Sequence, residues 1–143
     1  MGHSFTSFRE KHIRSKDYKV EVWLFLIAKK SAAWVDNESW LTEAIKHWNE
    51  QADLSLNGYI DPDFDAYLID DHRVEILKEI CASIQADLSG FGEMIPKEYL
   101  NELCNYKPPY EIKHDNESEL YLSYGRKLLD LLSGNQSSEC ENA

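Results

Sequence analysis

The sequence predicts an all-α fold, a single-domain bundle of about five helices around one buried central helix. Three observations support this prediction: a long apolar segment near the N-terminus, later segments with apolar residues at helical spacing, and capping or breaking residues between them. A chain of 143 residues with 43% hydrophobic residues is long enough to bury a core. We therefore expect one helical domain over residues 1–134.

The central helix is predicted over residues 17–33, and its middle is the unbroken apolar run Val22–Ala28. This run is much shorter than the roughly 20 residues that cross a bilayer, so we expect it in the core of a globular domain. Because apolar residues lie on nearly every side of this helix, neighbouring helices should surround it. A buried strand is the alternative, since Val, Trp, Phe and Ile favour strands. The continuation through Ala33 favours the helix.

Residues 1–16 mix aromatic and basic residues without clear periodicity, and we expect an irregular N-terminal arm on the core. The next helix follows the capping residues Asp36–Ser39. Its apolar stripe has helical spacing and consists of Trp40, Leu41, Ala44, Ile45, Trp48 and Ala52. Residues Phe64–Leu68 are expected to form one or two further helical turns.

The third long helix has a cap at Asp70 or Asp71 and an end at Gly90. Its buried stripe is predicted to be Val74, Leu77, Ile80, Cys81, Ile84 and Leu88. Pro96 begins a short helix that stops before Pro108. Asp115–Ser118 is expected to cap the last helix, which ends near Gly134, and the polar tail 135–143 is predicted to be disordered.

The net charge of −11 argues against nucleic acid as the main ligand, because phosphate binding depends on Lys and Arg. The charge is also unevenly distributed. Residues 1–50 carry eight Lys and Arg against seven Asp and Glu, whereas residues 51–143 carry seven against nineteen. A cationic protein partner is therefore expected to bind the second part of the chain.

The cysteines Cys81, Cys104 and Cys140 show no CxxC spacing, and the first two fall on apolar helix faces. This pattern is typical of buried thiols in a reducing compartment, and no secretory signal opens the chain, so we expect a cytoplasmic protein with no membrane contact. The five histidines show no metal-ligand spacing, and no phosphate-binding loop or nucleophile motif occurs. We therefore expect no cofactor, no metal and no catalytic residue.

Five aspartates between Asp61 and Asp71 form the densest negative segment of the chain. Asp61, Asp63 and Asp65 match the opening of a calcium loop, but Ala66 replaces its turn glycine and His72 its bidentate glutamate. Since Asp70 and Asp71 have a structural explanation as helix caps, the first three are the leading contact candidates. A solvated acidic turn without a partner is an equally good interpretation of this segment.

The segments Glu21–Leu24, Trp40–Leu41, Trp48–Ala52 and Gly58–Asp71 give the helical body, residues 17–133, a resemblance to small acidic bacterial immunity proteins. Such proteins are encoded beside contact-dependent growth inhibition or other polymorphic toxins, and several of them are α-helical. The resemblance implies tight binding of one cognate toxin, for which a cationic nuclease is the expected class. The residues it implies for toxin contact are Asp61, Asp63, Asp65, Asp70, Asp71 and Glu75, with Tyr59 or Tyr67 as aromatic anchors.

Two other functions compete with this expectation. An acidic adaptor or anti-defence protein that mimics nucleic acid would bind several unrelated basic proteins and be displaced by DNA. A small enzyme with a carboxylate site would need a deep pocket and carboxylates with shifted pKa values, and residue spacing alone locates no such site.

Overall fold

The computed structural model describes residues 2–53, 59–135 and 139–140, and these are mostly helical with two small β-sheets. The α-helices are α1 (Asp17–Ser31), α2 (Leu41–Asp53), α3 (Phe64–Tyr67), α4 (Asp71–Ser89), α5 (Lys97–Cys104) and α6 (Ser118–Leu132). The strands are β1 (His3–Phe8), β2 (Lys11–Lys16), β3 (Met94–Ile95), β4 (Asn116–Glu117) and β5 (Glu139–Cys140).

The N-terminal arm is a β-hairpin, so the prediction of an irregular arm in an all-α fold is wrong here. Strands β1 and β2 pair antiparallel, and β5 pairs parallel with β2 at Ile13 and Arg14. The hairpin turn consists of Arg9 and Glu10, both with positive φ (49° and 69°), as in the tight turns that match the twist of paired strands. The remaining tail residues, 136–138 and 141–143, lie outside the described part of the chain.

The hairpin escapes sequence analysis because its inward face is largely polar. Ser4, Thr6 and Ser15 are all fully buried, beside Phe8 and Ile13. An alternation of hydrophobic and polar residues is the usual signal of a half-buried strand, and small hydroxyl residues on the buried face remove that signal.

Buried hydroxyl groups join the hairpin to the rest of the fold. The Ser4 hydroxyl donates to Asp17 Oδ1 at 2.5 Å and accepts the backbone N–H of Ile60 at 2.7 Å. The hydroxyls of Thr6 and Tyr124 are 2.6 Å apart. We call these contacts the hydroxyl seam; they connect β1 to the start of α1, to the segment after α2 and to α6.

Helix α1 lies at the centre, as predicted, and packs against α2, α4, α5 and α6. Trp23 and Ile27 are fully buried, and a 3₁₀ turn, Ala32–Trp34, continues the helix. The indole Nε1 of Trp23 donates to the carbonyl of Tyr121 at 2.9 Å. Among the described residues, no helix is long and apolar enough to span a membrane.

Helix α6 crosses α1 and α4 at Gly125. A Cβ atom at this position would overlap Gln85 Oε1 and the Trp23 indole, so only glycine allows the helices to approach this closely. We call this contact among α1, α4 and α6 the glycine crossing. Its geometry depends on steric fit, whereas the hydroxyl seam depends on hydrogen bonds.

The capping predictions have different outcomes. Asp70 caps α4, because its Oδ1 accepts the Arg73 N–H at 2.9 Å. The predicted cap of α6 is wrong: the residue before this helix, Glu117, makes no side-chain cap hydrogen bond. Asp115 instead accepts the N–H of Lys97 at 3.0 Å and so serves the first turn of α5. The Asp115 carboxylate bonds with α5 because the loops before α5 and α6 are in tertiary contact, which the sequence does not reveal.

Candidate binding surface

The predicted contact residues lie on the segment after α2, on α3 and on the first turns of α4. The exposed carboxylates among them define what we call the acidic surface: Asp63, Asp65, Asp70, Asp71 and Glu75. Asp61 and Tyr67 are half-buried, whereas Tyr59 is 53% exposed. The fold therefore leaves most of the predicted residues accessible to solvent.

Asp61 is part of the architecture of its loop. Its carboxylate accepts the N–H of Asp63 at 2.9 Å, and its own N–H donates to Gln51 Oε1 at 2.9 Å. Its carbonyl lies 3.1 Å from His47 Nε2. Asp63 has a positive φ of 53°, which aspartate tolerates better than most residues. Asp61 thus has a structural role that the sequence did not reveal.

Arg9, at the tip of the hairpin, lies against the acidic surface. Its backbone N–H donates to Asp65 Oδ1 at 2.9 Å, and its guanidinium donates to Asp71 Oδ1 at 3.0 Å. The Arg9 and Asp71 side chains are 52% and 92% exposed, and exposed pairs of this kind stabilise a fold by about 1 kcal/mol at most. Sequence analysis missed Arg9 because it assigned the hairpin to an irregular arm.

Two further carboxylates of the acidic surface have local partners. Asp70 is the α4 cap, and Glu75 pairs with Lys78 one turn further along the helix, at 3.1 Å. Of the six predicted carboxylates, Asp63 is the one whose side chain has neither a hydrogen bond nor an ion pair within the described residues. Asp63 is therefore the carboxylate least constrained by the fold.

The aromatic candidates differ in exposure. Tyr59 is accessible, whereas the Tyr67 ring packs against His47 and Trp48, with ring centroids 5.6 and 6.0 Å apart. Burial, with a smaller contribution from the Asp63 charge, raises the pKa of Tyr67, so its hydroxyl stays neutral. Ile69 is 65% exposed beside these residues and was not predicted. Its position before the helix cap gives no sequence signal of exposure.

A polar cluster at the start of α4 borders the acidic surface. The Glu38 carboxylate accepts the Trp40 Nε1–H and bonds with His72 Nε2, both at 2.9 Å. These hydrogen bonds lower the pKa of Glu38, and the bond to Glu38 raises the pKa of His72. The Arg73 guanidinium lies 4.9 Å from the centre of a Trp40 ring. The cluster fixes the start of α4 to the segment before α2.

The described residues contain no group of three or more side chains that could hold a metal ion. Cys81 and Cys104 are buried free thiols, and burial raises the pKa of both. Thiols of this kind are poorly reactive, because the thiolate is the nucleophile. The acidic surface itself consists of exposed carboxylates, and Tyr59 and Ile69 are exposed in the same segment of the chain.

No family model matches this chain, and comparisons with curated proteins and with solved structures find no match.

Proposed function

We propose that this is a cytoplasmic, non-enzymatic immunity protein that binds and neutralises a cognate toxin, with a cationic nuclease as the expected toxin class. One observation carries the proposal: the five carboxylates of the acidic surface are all exposed. Tyr59 and Ile69, in the same segment of the chain, also have exposed side chains. In this proposal the helices around α1 act as a rigid bundle that presents the surface.

The two kinds of group have different roles in such binding. Clustered carboxylates raise the association rate of a basic protein by roughly 10- to 1,000-fold at low salt, and this steering weakens as salt screens the charges. Apolar and aromatic side chains at the centre of an interface supply most of its affinity. Tyr59 and Ile69 are the exposed groups suited to that role, and Asp63 is the carboxylate freest to meet a partner cation.

The test starts with capture of the tagged chain's partner from its host, followed by titration of the purified partner at low and moderate salt. We expect one basic protein bound at 1:1 stoichiometry. Asp63→Lys with Glu75→Lys should weaken its binding and flatten the salt dependence. Glu98→Lys with Glu102→Lys is the matched control, because these exposed glutamates lie on α5 and carry the same charge.

Unchanged affinity and salt dependence in the Asp63 and Glu75 variant would refute this surface. Capture of many unrelated basic proteins, all displaced by plain DNA, would instead support a nucleic-acid-mimicking adaptor or anti-defence protein.

A further inference from the structure

A cavity of about 220 Å³ lies between α1, α6, β4 and the loop that joins α5 to β4. The cavity is partly open to solvent. Half of its lining residues are tyrosines; the full set is Tyr18, Val22, Tyr106, Ile112, Asn116 and Tyr121. None of these residues belongs to the acidic surface, so the cavity is a separate feature and does not depend on the proposed function.

The lining of this tyrosine cavity ranges from buried to accessible. Val22 and Tyr121 are 2% and 1% exposed, whereas Tyr106, Ile112 and Asn116 are half-buried. This combination is typical of pockets that enclose most of a small molecule while leaving it a path from solvent.

The walls of the tyrosine cavity are held by contacts within the protein. The Tyr121 carbonyl accepts the Trp23 Nε1–H at 2.9 Å, and the Tyr121 ring meets the Tyr18 ring edge to face, with centroids 6.1 Å apart and an interplanar angle of 84°. On the loop side, Asn101 Oδ1 accepts the N–H of Ile112 at 2.7 Å, and Asn101 Nδ2 donates to the Ile112 carbonyl at 3.0 Å. The cavity is therefore preorganised, which lowers the entropy cost of binding.

The residue types of the lining indicate a neutral aromatic ligand. The lining contains no Asp, Glu, Lys, Arg or His, and a cavity without charged groups disfavours an ion. Aromatic rings pack on one another edge to face or offset, so three tyrosines favour an aromatic ring over an aliphatic one of the same size.

Asn116 adds a polar group to this lining. Its backbone pairs with Ile95 in the β3–β4 ribbon, and its side chain makes no hydrogen bond with another described residue. An amide side chain can both donate and accept, so it can bond with a hydroxyl group on a ligand ring.

The size of the tyrosine cavity limits the ligand to one ring. An apolar cavity of ~150 Å³ holds benzene, so about 220 Å³ accommodates a ring with a small substituent. We propose that the cavity binds a free, neutral, single-ring aromatic molecule with one hydroxyl group, the chemistry of a simple phenol. The ring packs on the tyrosines, and its hydroxyl bonds with the Asn116 amide. A tyrosine side chain of another protein is disfavoured, because its peptide backbone would not fit.

Nuclear magnetic resonance titration of the isotope-labelled full chain with phenol tests the proposal. Cyclohexanol, which has a hydroxyl on a six-membered ring without aromaticity, is the control ligand. We expect a dissociation constant on the order of 1 mM for phenol and about fivefold weaker binding of cyclohexanol. Nuclear Overhauser effects from the phenol ring protons to the methyl groups of Val22 and Ile112 should locate the ring. Equal affinity for the two ligands, or no such effects, would overturn the proposal.

Substitutions at Tyr106 test the contribution of a tyrosine ring. Tyr106→Leu should weaken phenol binding about fivefold, whereas Tyr106→Phe keeps the ring and should bind phenol like the native protein. Tyr110→Leu is the matched control, because Tyr110 lies on the same loop, is 84% exposed and does not line the cavity. Equal phenol binding by the two leucine variants would refute the ring contact. An unchanged spectrum outside the cavity verifies that each variant is folded.

Two further comparisons test the hydroxyl contact and the source of the ring. Asn116→Ala should weaken the binding of phenol but not of benzene, which lacks the hydroxyl; equal losses for both would overturn the assigned hydrogen bond. N-acetyl-tyrosine methylamide carries the same phenol ring on a peptide backbone, and p-cresol is its free side chain. We expect p-cresol to bind tighter, and tighter binding of the peptide derivative would overturn the assignment to a free small molecule.

Discussion

The hydroxyl seam and the glycine crossing both hold secondary structure against α1, but by different forces. At the seam, Ser4 and Thr6 are fully buried and make hydrogen bonds of 2.5 to 2.7 Å. At the crossing, Gly125 leaves no space for a Cβ atom between α4 and α1. The comparison shows that this core contains two kinds of contact. The glycine crossing tolerates no added volume, whereas the hydroxyl seam tolerates no lost hydrogen bond. Different substitutions therefore test each contact.

The largest effect is expected from Gly125→Ala. The added Cβ overlaps Gln85 and Trp23, so helices must move apart, and the free energy of unfolding should fall by about 3 kcal/mol. Chemical denaturation monitored by circular dichroism measures this. Asp130→Ala on the exposed side of α6 is the control and should change it little. A Gly125→Ala protein of unchanged stability would show that the crossing is not tightly packed.

A smaller loss is expected from Ser4→Ala, which removes the hydroxyl without adding volume. Asp17 loses a buried donor and the Ile60 N–H loses its acceptor, so the free energy of unfolding should fall by about 2 kcal/mol. Ser7→Ala is the matched control, because Ser7 lies on the exposed face of the same strand. Equal stability of the two variants would mean that the seam contributes nothing.

The Thr6 and Tyr124 contact should couple the two residues by about 1 kcal/mol. Tyr124 has other interactions, so the effect of a single substitution does not measure this hydrogen bond alone. A double-mutant cycle with Thr6→Val and Tyr124→Phe isolates the coupling energy. Additive single effects would exclude a hydrogen bond between the two hydroxyls.

The smallest effect is expected from the pair of Glu38 and the exposed His72, whose stabilisation depends on pH. Because the pKa of His72 is raised above 6.5 in the fold, its contribution is complete below that value and is lost as pH rises through the folded pKa. Because the pKa of Glu38 is lowered below 4.5, its contribution is complete above that value and is lost as pH falls through its folded pKa.

The stability difference between the native protein and His72→Gln should therefore be largest between pH 4.5 and 6.5, where both contributions are complete, and should fall as the pH rises through the folded pKa of His72. Urea denaturation across this range measures it. By comparison, the decrease in the free energy of unfolding caused by Ser4→Ala should be constant from about pH 6 to 8, since a hydroxyl does not titrate in this range. A pH-independent difference for His72→Gln would contradict the pairing.

Helices whose stability depends on apolar packing could be predicted from the sequence. The run around Val22–Ala28 and the stripe from Val74 to Leu88 each appear in the structure close to the predicted bounds. The hairpin could not, because Ser4 and Thr6 are buried polar residues whose partners lie far away in sequence. The role of Asp115 at α5 was missed for the same reason: its partner, Lys97, is set by tertiary contact.

The candidate surface follows the same division. The dense negative charge between Asp61 and Asp71 predicted a contact surface, and four of the five aspartates in this segment are exposed in the fold. Sequence gave no indication that Arg9 would lie among them, or that Asp61 would be bonded into its loop. Their function in binding a toxin stays a prediction.

Because the Arg9 backbone N–H donates to Asp65, the exchange rate of this amide proton depends on whether a ligand occupies the acidic surface. While the Asp65 carboxylate accepts this hydrogen bond, exchange of the Arg9 amide proton with deuterium from the solvent is slowed. A ligand that recruits Asp65 for its own cation releases the amide, and exchange at Arg9 then accelerates even though most of a binding interface becomes better protected. When a ligand occupies the acidic surface, the exchange rate of the Arg9 amide would thus rise while the exchange rates of the surrounding amides fall.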